Sequence, residues 1–279
     1  MTLPSPTVPL VLYEDADLLA VDKPEGLSAI PERDLTLPSA QRLLEAARGE
    51  RLFVVHRIDK EVSGLLLFAR HAAAHRDLSI AFEKKEVEKR YLAIAWGALD
   101  PKLGGRGEVS LPIHEFGSGR MGVDARGKPS ITRWERVHDS HKTSRSEAAE
   151  RDSHKTSRSE AADAASGPLV TTLLRLSPVT GRRHQLRVHL YALGHALVGD
   201  PRYGEHGRNA DVPRLALHAH EARVKVGGRV LELRAPLGPS FVALLERFGH
   251  RSMGIEIARG QGSMGVEGVA PVAKAEGAA

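Results

Sequence analysis

The chain has 279 residues, 41% of them hydrophobic, enough for one good-sized domain or two small ones, and we expect one catalytic core with appendages. With no cysteine at all, disulfide frameworks, thiolate nucleophiles and cysteine-based zinc or iron–sulfur sites are excluded. The net charge of +5 suits a polyanionic partner and equally an ordinary basic enzyme, and no run of eighteen apolar residues offers a membrane span.

Residues 1–9 read as a short N-terminal tail without the basic region and apolar stretch of a signal peptide, so a soluble, cytoplasmic protein is expected. The apolar runs 10–13 and 18–21, separated by Glu14-Asp15-Ala16-Asp17, predict a β-hairpin leading into the turn Lys23-Pro24-Glu25-Gly26. Ala40, Leu43, Leu44 and Ala47 recur at helical spacing and predict a helix over 37–48. Strand-like runs follow at 52–55 and 64–69, joined by residues 56–63. A helix is predicted over 71–86, with Leu78, Ala81 and Phe82 on one face, and a strand over 89–96 in which Tyr91 and Ala93 share a face.

Between expected strands 130–137 and 169–176 lies a tandem duplication, DSHKTSRSEAAER at 139–151 and DSHKTSRSEAADA at 152–164. It is polar, mixed in charge and nearly without large apolar residues, so residues 139–165 are expected to be a flexible insertion. A helix over 182–193 follows the turn Thr180-Gly181, then paired strands at 215–226 and 230–234, and a last helix near 240–248. The core domain is thus expected over 10–249, with a disordered Gly- and Ala-rich tail over 250–279. Basic residues concentrate late in the core: ten Arg and Lys against five acids from Arg182 to Arg234.

Two segments stand out chemically. In His56-Arg57-Ile58-Asp59-Lys60-Glu61-Val62-Ser63-Gly64, an extended backbone sets Arg57 and Asp59 on one side and His56 on the other. That arrangement delivers an acid beside a guanidinium at the mouth of a sheet, or makes a salt bridge capping a strand. In Thr180-Gly181-Arg182-Arg183-His184-Gln185-Leu186-Arg187-Val188-His189-Leu190, helical spacing places Arg183 and Arg187 on one face with Leu190. Such a basic face is solvated, binds phosphates or holds a buried carboxylate, and spacing leaves the three open. Gly117-Ser118-Gly119-Arg120-Met121-Gly122 fits a dinucleotide fingerprint literally but lacks the helical pattern that should follow it. Fourteen histidines invite a metal reading, which the arginines at 182, 183 and 187 oppose, and no metal is expected.

HRIDKEVSGLLLFAR, KRYLAIAWG and GRRHQLRVHLYALGHALVGDPRYG, followed by LALHAHEARV, together resemble the RluA-type RNA pseudouridine synthases over about residues 10–244. Val62 stands where the family usually has Thr, and Arg183 where it has Thr or Ser. The resemblance implies an α+β fold with a mixed, largely antiparallel central sheet flanked by helices and loops, and an active-site cleft. It also implies isomerisation of uridine in ribosomal RNA, tRNA stem-loops or both, by a monomer. The reaction breaks the N1–C1′ bond, turns the uracil and rejoins it through C5, so no redox cofactor and no metal are needed. Asp59 becomes the catalytic carboxylate, Tyr91 the stacking platform for a flipped-out base, and Arg57 the candidate to fill the vacated space. Arg187 would offset the desolvation of Asp59, the two forming a unit. His56, Arg182, Arg183, His184, Gln185 and Leu217 are candidates for RNA contact. The residues before Pro9 are too few for the S4 domain that many family members carry. The alternatives are a non-catalytic RNA-binding protein of the same fold and a histidine-based hydrolase or metalloenzyme.

Overall fold

The computed structural model describes residues 7–100, 104–117, 119–142, 169–204 and 206–250. The first two apolar runs form β1 (Leu10–Glu14) and β2 (Leu18–Lys23), paired antiparallel. Their turn is closed by the Asp15 carboxylate, which accepts from the backbone N–H groups of Asp17 and Leu18, both at 2.8 Å. Helix α1 (Ala40–Arg48) starts later than the spacing predicts, because extended Ser39 caps it and accepts from Arg42 N. Then come β3 (Phe53–Val54), β4 (Ser63–Ala69), α2 (Ala72–Glu83) and β5 (Glu88–Trp96).

Three short strands that the sequence reading did not anticipate follow: β6 (Arg106–Ser110), β7 (Ile113–Glu115) and β8 (Met121–Val123). Of the glycine-rich 117–122 stretch, Met121 and Gly122 lie in β8, and no helix follows them. β9 (Ile131–Lys142) and β10 (Leu169–Pro178) pair antiparallel, with a register shift between Leu173 and Leu174, up to Lys142 opposite Leu169. Asp139 to Lys142, the first residues of the duplication, therefore belong to a strand, and the rest of it lies outside the described residues. The chain ends with α3 (Gln185–Ala192), α4 (His206–Asn209), β11 (Leu217–Val226), β12 (Arg229–Arg234) and α5 (Pro239–Arg247). His250, placed in the tail by composition, is buried and hydrogen-bonded to Thr171 and His138; residues 251–279 lie outside the described set.

Ten strands form one sheet in the order β1-β2-β4-β11-β5-β10-β9-β6, with β12 on β11 and β3 on β4. Every pairing is antiparallel except β4 with β11, so the sheet is mixed and the class α+β. At that parallel junction Gly64 has φ +107, and a β-carbon there would overlap the Ala219 carbonyl; only glycine lets the two strands close.

Alternation along the strands sends side chains to two covered faces. Leu65 and Leu67 pack with α2 residues, while Leu66 and Phe68 pack with Ala40 and Leu44 of α1. On β5, Ala93 and Ala95 pack with Leu186 and Leu190 of α3, and Leu92 and Ile94 with Phe241 and Leu244 of α5. Each such buried leucine or phenylalanine contributes roughly 1.5–3 kcal/mol. The functional loop sits where α2 and α3 leave a gap on their shared face.

Candidate active site

Residues 55–62, between β3 and β4, carry Asp59. Its flanks are anchored: Ile58 and Val62 are buried in the cluster formed by Ala93, Leu186, Leu190 and Leu217. These two apolar anchors, one and three residues from Asp59, hold it on rigid structure. Val62 N donates to Asp59 O at 3.1 Å, and Lys60 O accepts from Gly26 N at 2.8 Å and from Lys23 Nζ at 3.2 Å. Lys23 is fully buried, and its Nζ also donates to the carbonyls of Pro24 and Leu27. Burial pushes its pKa down to about 7, against the pull of Glu25 and Asp59. The turn 23–27 thus clamps the back of the loop, a role its turn chemistry did not reveal.

The Asp59 carboxylate is 19% exposed. Arg187 Nη1 lies 3.6 Å and His184 Nε2 4.0 Å from the same oxygen, Oδ2. Asp59 and Arg187, which the sequence reading takes as a unit, stand 3.6 Å apart, and Arg187 has further carboxylate partners. The direct partner of Arg187 is Asp200, which takes two parallel bonds, from Nε at 2.8 Å and Nη2 at 2.7 Å, with both side chains fully buried. Glu61 lies 3.4 Å from Nη1, so three carboxylates surround one guanidinium. Burial opposes the charge on Arg187, but the carboxylates outweigh it and raise its pKa. Asp200 is itself set by accepting from the N–H groups of Arg202 and Tyr203, and the Tyr203 ring lies beneath Arg187 at 5.2 Å. Asp200 and Tyr203 stand in the GDPRYG stretch, where a buried acid beside a glycine-rich turn was the available signal.

The helix predicted over 182–193 starts only at Gln185, because His184 sits in the left-handed region at φ 55. Arg182 and Arg183 lie in the preceding turn, so Arg183 does not share a helical face with Arg187. Arg183 is exposed and pairs with Glu115 at 2.9 Å, while Arg187 is buried. The Gln185 amide fixes this turn: its oxygen accepts from Thr180 Oγ1 and Arg182 N, and its nitrogen donates to Ile131 O and Thr132 Oγ1. All of its capacity is spent within the chain. The imidazole of His184 meets Tyr203 Oη at 2.8 Å through Nδ1, and burial lowers its pKa despite Asp59 nearby.

His56 turns inward: its Nε2 accepts from Leu67 N at 3.0 Å and its ring stacks on Phe82. Burial, with Lys89 adding to it, pushes its pKa down to about 3, which keeps the ring neutral as an acceptor must be. Arg57 is exposed and borders the cleft above Asp59. Tyr91 lines the same cleft from β5, and burial followed by Asp59 raises its pKa, so its hydroxyl stays protonated. Leu217 from β11 is buried at the floor.

These residues enclose an open cleft of about 590 Å³. Its lining carries six basic side chains (Arg57, Lys85, Lys89, Arg182, Arg183, Arg187) against two carboxylates, Asp59 and Glu83. A deep, partly apolar space with one oriented carboxylate and a cationic rim is built for chemistry on a polyanion. The fold and cleft together fit an enzyme that acts on a polyanion.

Comparison with known proteins narrows the class. A family model described as RNA pseudouridylate synthase matches residues 17–192. An uncharacterized RNA pseudouridine synthase of Zymomonas mobilis is 32% identical over 242 residues, covering 84% of this chain and 96% of its own. The dual-specificity RNA pseudouridine synthase RluA of Pasteurella multocida is 33% identical, covering 77% of this chain and 86% of its own. Among solved structures, the human RNA pseudouridylate synthase domain containing 1 superposes with a TM-score of 0.65 at 28% identity, covering 87% of this chain and 90% of that one. The chain belongs to the RNA pseudouridylate synthase family, of the RluA type, and is an isomerase that acts on RNA.

Proposed function

We propose that the protein converts specific uridines of structured RNA, in ribosomal RNA, tRNA or both, to pseudouridine, with Asp59 as the reacting carboxylate on a flipped-out base. The observation that carries this is the position of Asp59. It stands on a loop locked from both sides in a base-sized cleft, and Arg187 and His184 both face Oδ2. Oδ1 is left to meet the ribose or the uracil. The name of the Pasteurella relative, dual-specificity, supports two RNA classes as substrates.

The target uracil must leave its stack, at a cost of a few kcal/mol that is smallest in a loop. Stacking on Tyr91 returns roughly 1–3 kcal/mol of it. Arg57, exposed beside the cleft, fills the gap in the RNA, and Arg182 and Arg183 border the strand's path. Among the described residues no helix is long and apolar enough to cross a membrane, and we place the enzyme with its RNA in the cytoplasm.

The test is tritium release from [5-³H]uridine in transcripts of large-subunit ribosomal RNA and of tRNA. Wild type releases tritium from at least one of them; Asp59→Asn and Asp59→Ala release none yet bind RNA within a few-fold. Turnover by either variant removes Asp59 from its role, and no release by wild type from either RNA class overturns the reading.

A further inference from the structure

Most basic groups of the cleft are either hydrated or paired. Arg57, Lys85, Arg182 and Arg183 are exposed, and Arg187 is held by Asp200. Lys89 is neither. It is half-buried on β5, and among the described residues it makes no hydrogen bond and no ion pair. Its Nζ lies over the face of Phe82, 5.7 Å from the ring centre. The nearby carboxylates are engaged or remote: Glu221 is taken by Arg90 and Arg234, and Glu83 is exposed at the end of α2.

A cation withdrawn from water without an anion costs the fold free energy, and burial accordingly lowers the pKa of Lys89. The same charge disfavours protonation of His56 behind it. Among the described residues only the Phe82 face offsets that cost. The Lys89 side chain does reach the cleft, and it emerges on the same face of β5 as Tyr91, two residues and about 7 Å along the strand.

We propose that Lys89 is the anion site of the cleft and binds the backbone phosphate of the nucleotide whose base stacks on Tyr91. The phosphate supplies the charge that the folded protein withholds, so free energy spent on stability is recovered in substrate affinity. This rests on the reading of the cleft as a uridine site in RNA, with Tyr91 as its platform. A phosphate rather than a base carbonyl is favoured because the group left uncompensated is a full charge, whereas a carbonyl would leave it so.

The experiment compares wild type, Lys89→Met and Lys89→Arg on whichever transcript wild type modifies, so that loss of the underlying reading shows as absent wild-type turnover. Lys89→Met is expected to raise KM about tenfold, the worth of one charge-assisted hydrogen bond. It should also lower the salt slope of log KM by about one. Its melting temperature should equal or exceed that of wild type, and Lys89→Arg should recover most of the lost affinity. A methylphosphonate at the target nucleotide should raise KM for wild type and leave Lys89→Met unaffected. An unchanged KM in Lys89→Met overturns the proposal. So does a lower melting temperature, which would mean that the fold itself uses the charge. Equal sensitivity of wild type and Lys89→Met to the methylphosphonate overturns it as well, because the contact would then lie elsewhere.

Discussion

Two buried arginines support the Asp59 loop from opposite sides, and they are furnished differently. Arg214, behind the loop, has its guanidinium satisfied by a mostly neutral set. Nε donates to Leu215 O, Nη1 to Glu25 and Ser240 Oγ, and Nη2 to Ser63 Oγ and Leu217 O, with the Phe241 ring 5.4 Å away. Burial is its largest influence and lowers its pKa. Arg187, in front, bonds well to one carboxylate and stands near two more. The first arrangement is closed and holds β4, β11 and α5 together. The second carries surplus negative charge toward the cleft, so Asp59 feels a guanidinium without being tied to it by a short bond. A carboxylate that must form and release a covalent or proton-transfer contact needs that looser hold.

The comparison breaks if the two arginines prove interchangeable in effect. Arg187→Leu strands a fully buried Asp200 and should cost about 3–5 kcal/mol of stability together with nearly all turnover. Asp200→Asn should follow it, losing several kcal/mol by the same logic while Asp59 is intact. If Asp200→Asn melts like wild type, the Arg187–Asp200 pair does not hold the fold and Asp59 is the stronger partner of Arg187. Arg214→Met removes hydrogen bonds to a half-exposed Glu25 and to neutral groups, so about 1–3 kcal/mol is expected, with turnover per folded molecule within a few-fold of wild type. Chemical denaturation and single-turnover tritium release separate the two quantities. A collapse of turnover in folded Arg214→Met would make both arginines catalytic supports.

What was legible in the sequence was local. The opening hairpin, α2, β5 and the HRID loop announce themselves through alternation, helical spacing and turn residues within windows of about ten residues. Asp59 stands out in its loop, Tyr91 is singled out through the family resemblance, and both line the same cleft. What escaped depends on distance through space. Apolar spacing at Leu186 and Leu190 extends plausibly back to Arg182, and only the tertiary bonds of Gln185 to Ile131 and Thr132 reveal why the helix begins late. Asp200 looked like a turn residue, and the same turn bonds that fix it aim its carboxylate at Arg187. Lys23 reads as the start of a turn and Lys89 as the start of a strand, and nothing near them in the chain says that a loop or α2 will cover them. The short strands β6 to β8 contain too few apolar residues to show a period.

Acid should sharpen the contrast from the Arg214 side. His218 is buried between the two halves of that cluster. Ser63 Oγ accepts from Arg214 and so donates its own proton to His218 Nδ1 at 2.9 Å, which leaves Nε2–H facing the Ala235 carbonyl. Burial first, then His220 and Arg214, push its pKa down to about 3, whereas an unfolded histidine titrates near 6.5. Between those values the unfolded chain binds a proton that the folded one refuses. Stability contributed by the neutral ring is therefore complete above about pH 6.5 and is lost as pH falls toward 3. The melting temperature should decline from pH 6.5 downward, and His218→Asn, which keeps an acceptor for Ser63 but cannot titrate, should decline less steeply from a lower start. An identical slope in wild type and His218→Asn would place the acid sensitivity elsewhere, His56 on the cleft side being the group with the same depressed pKa.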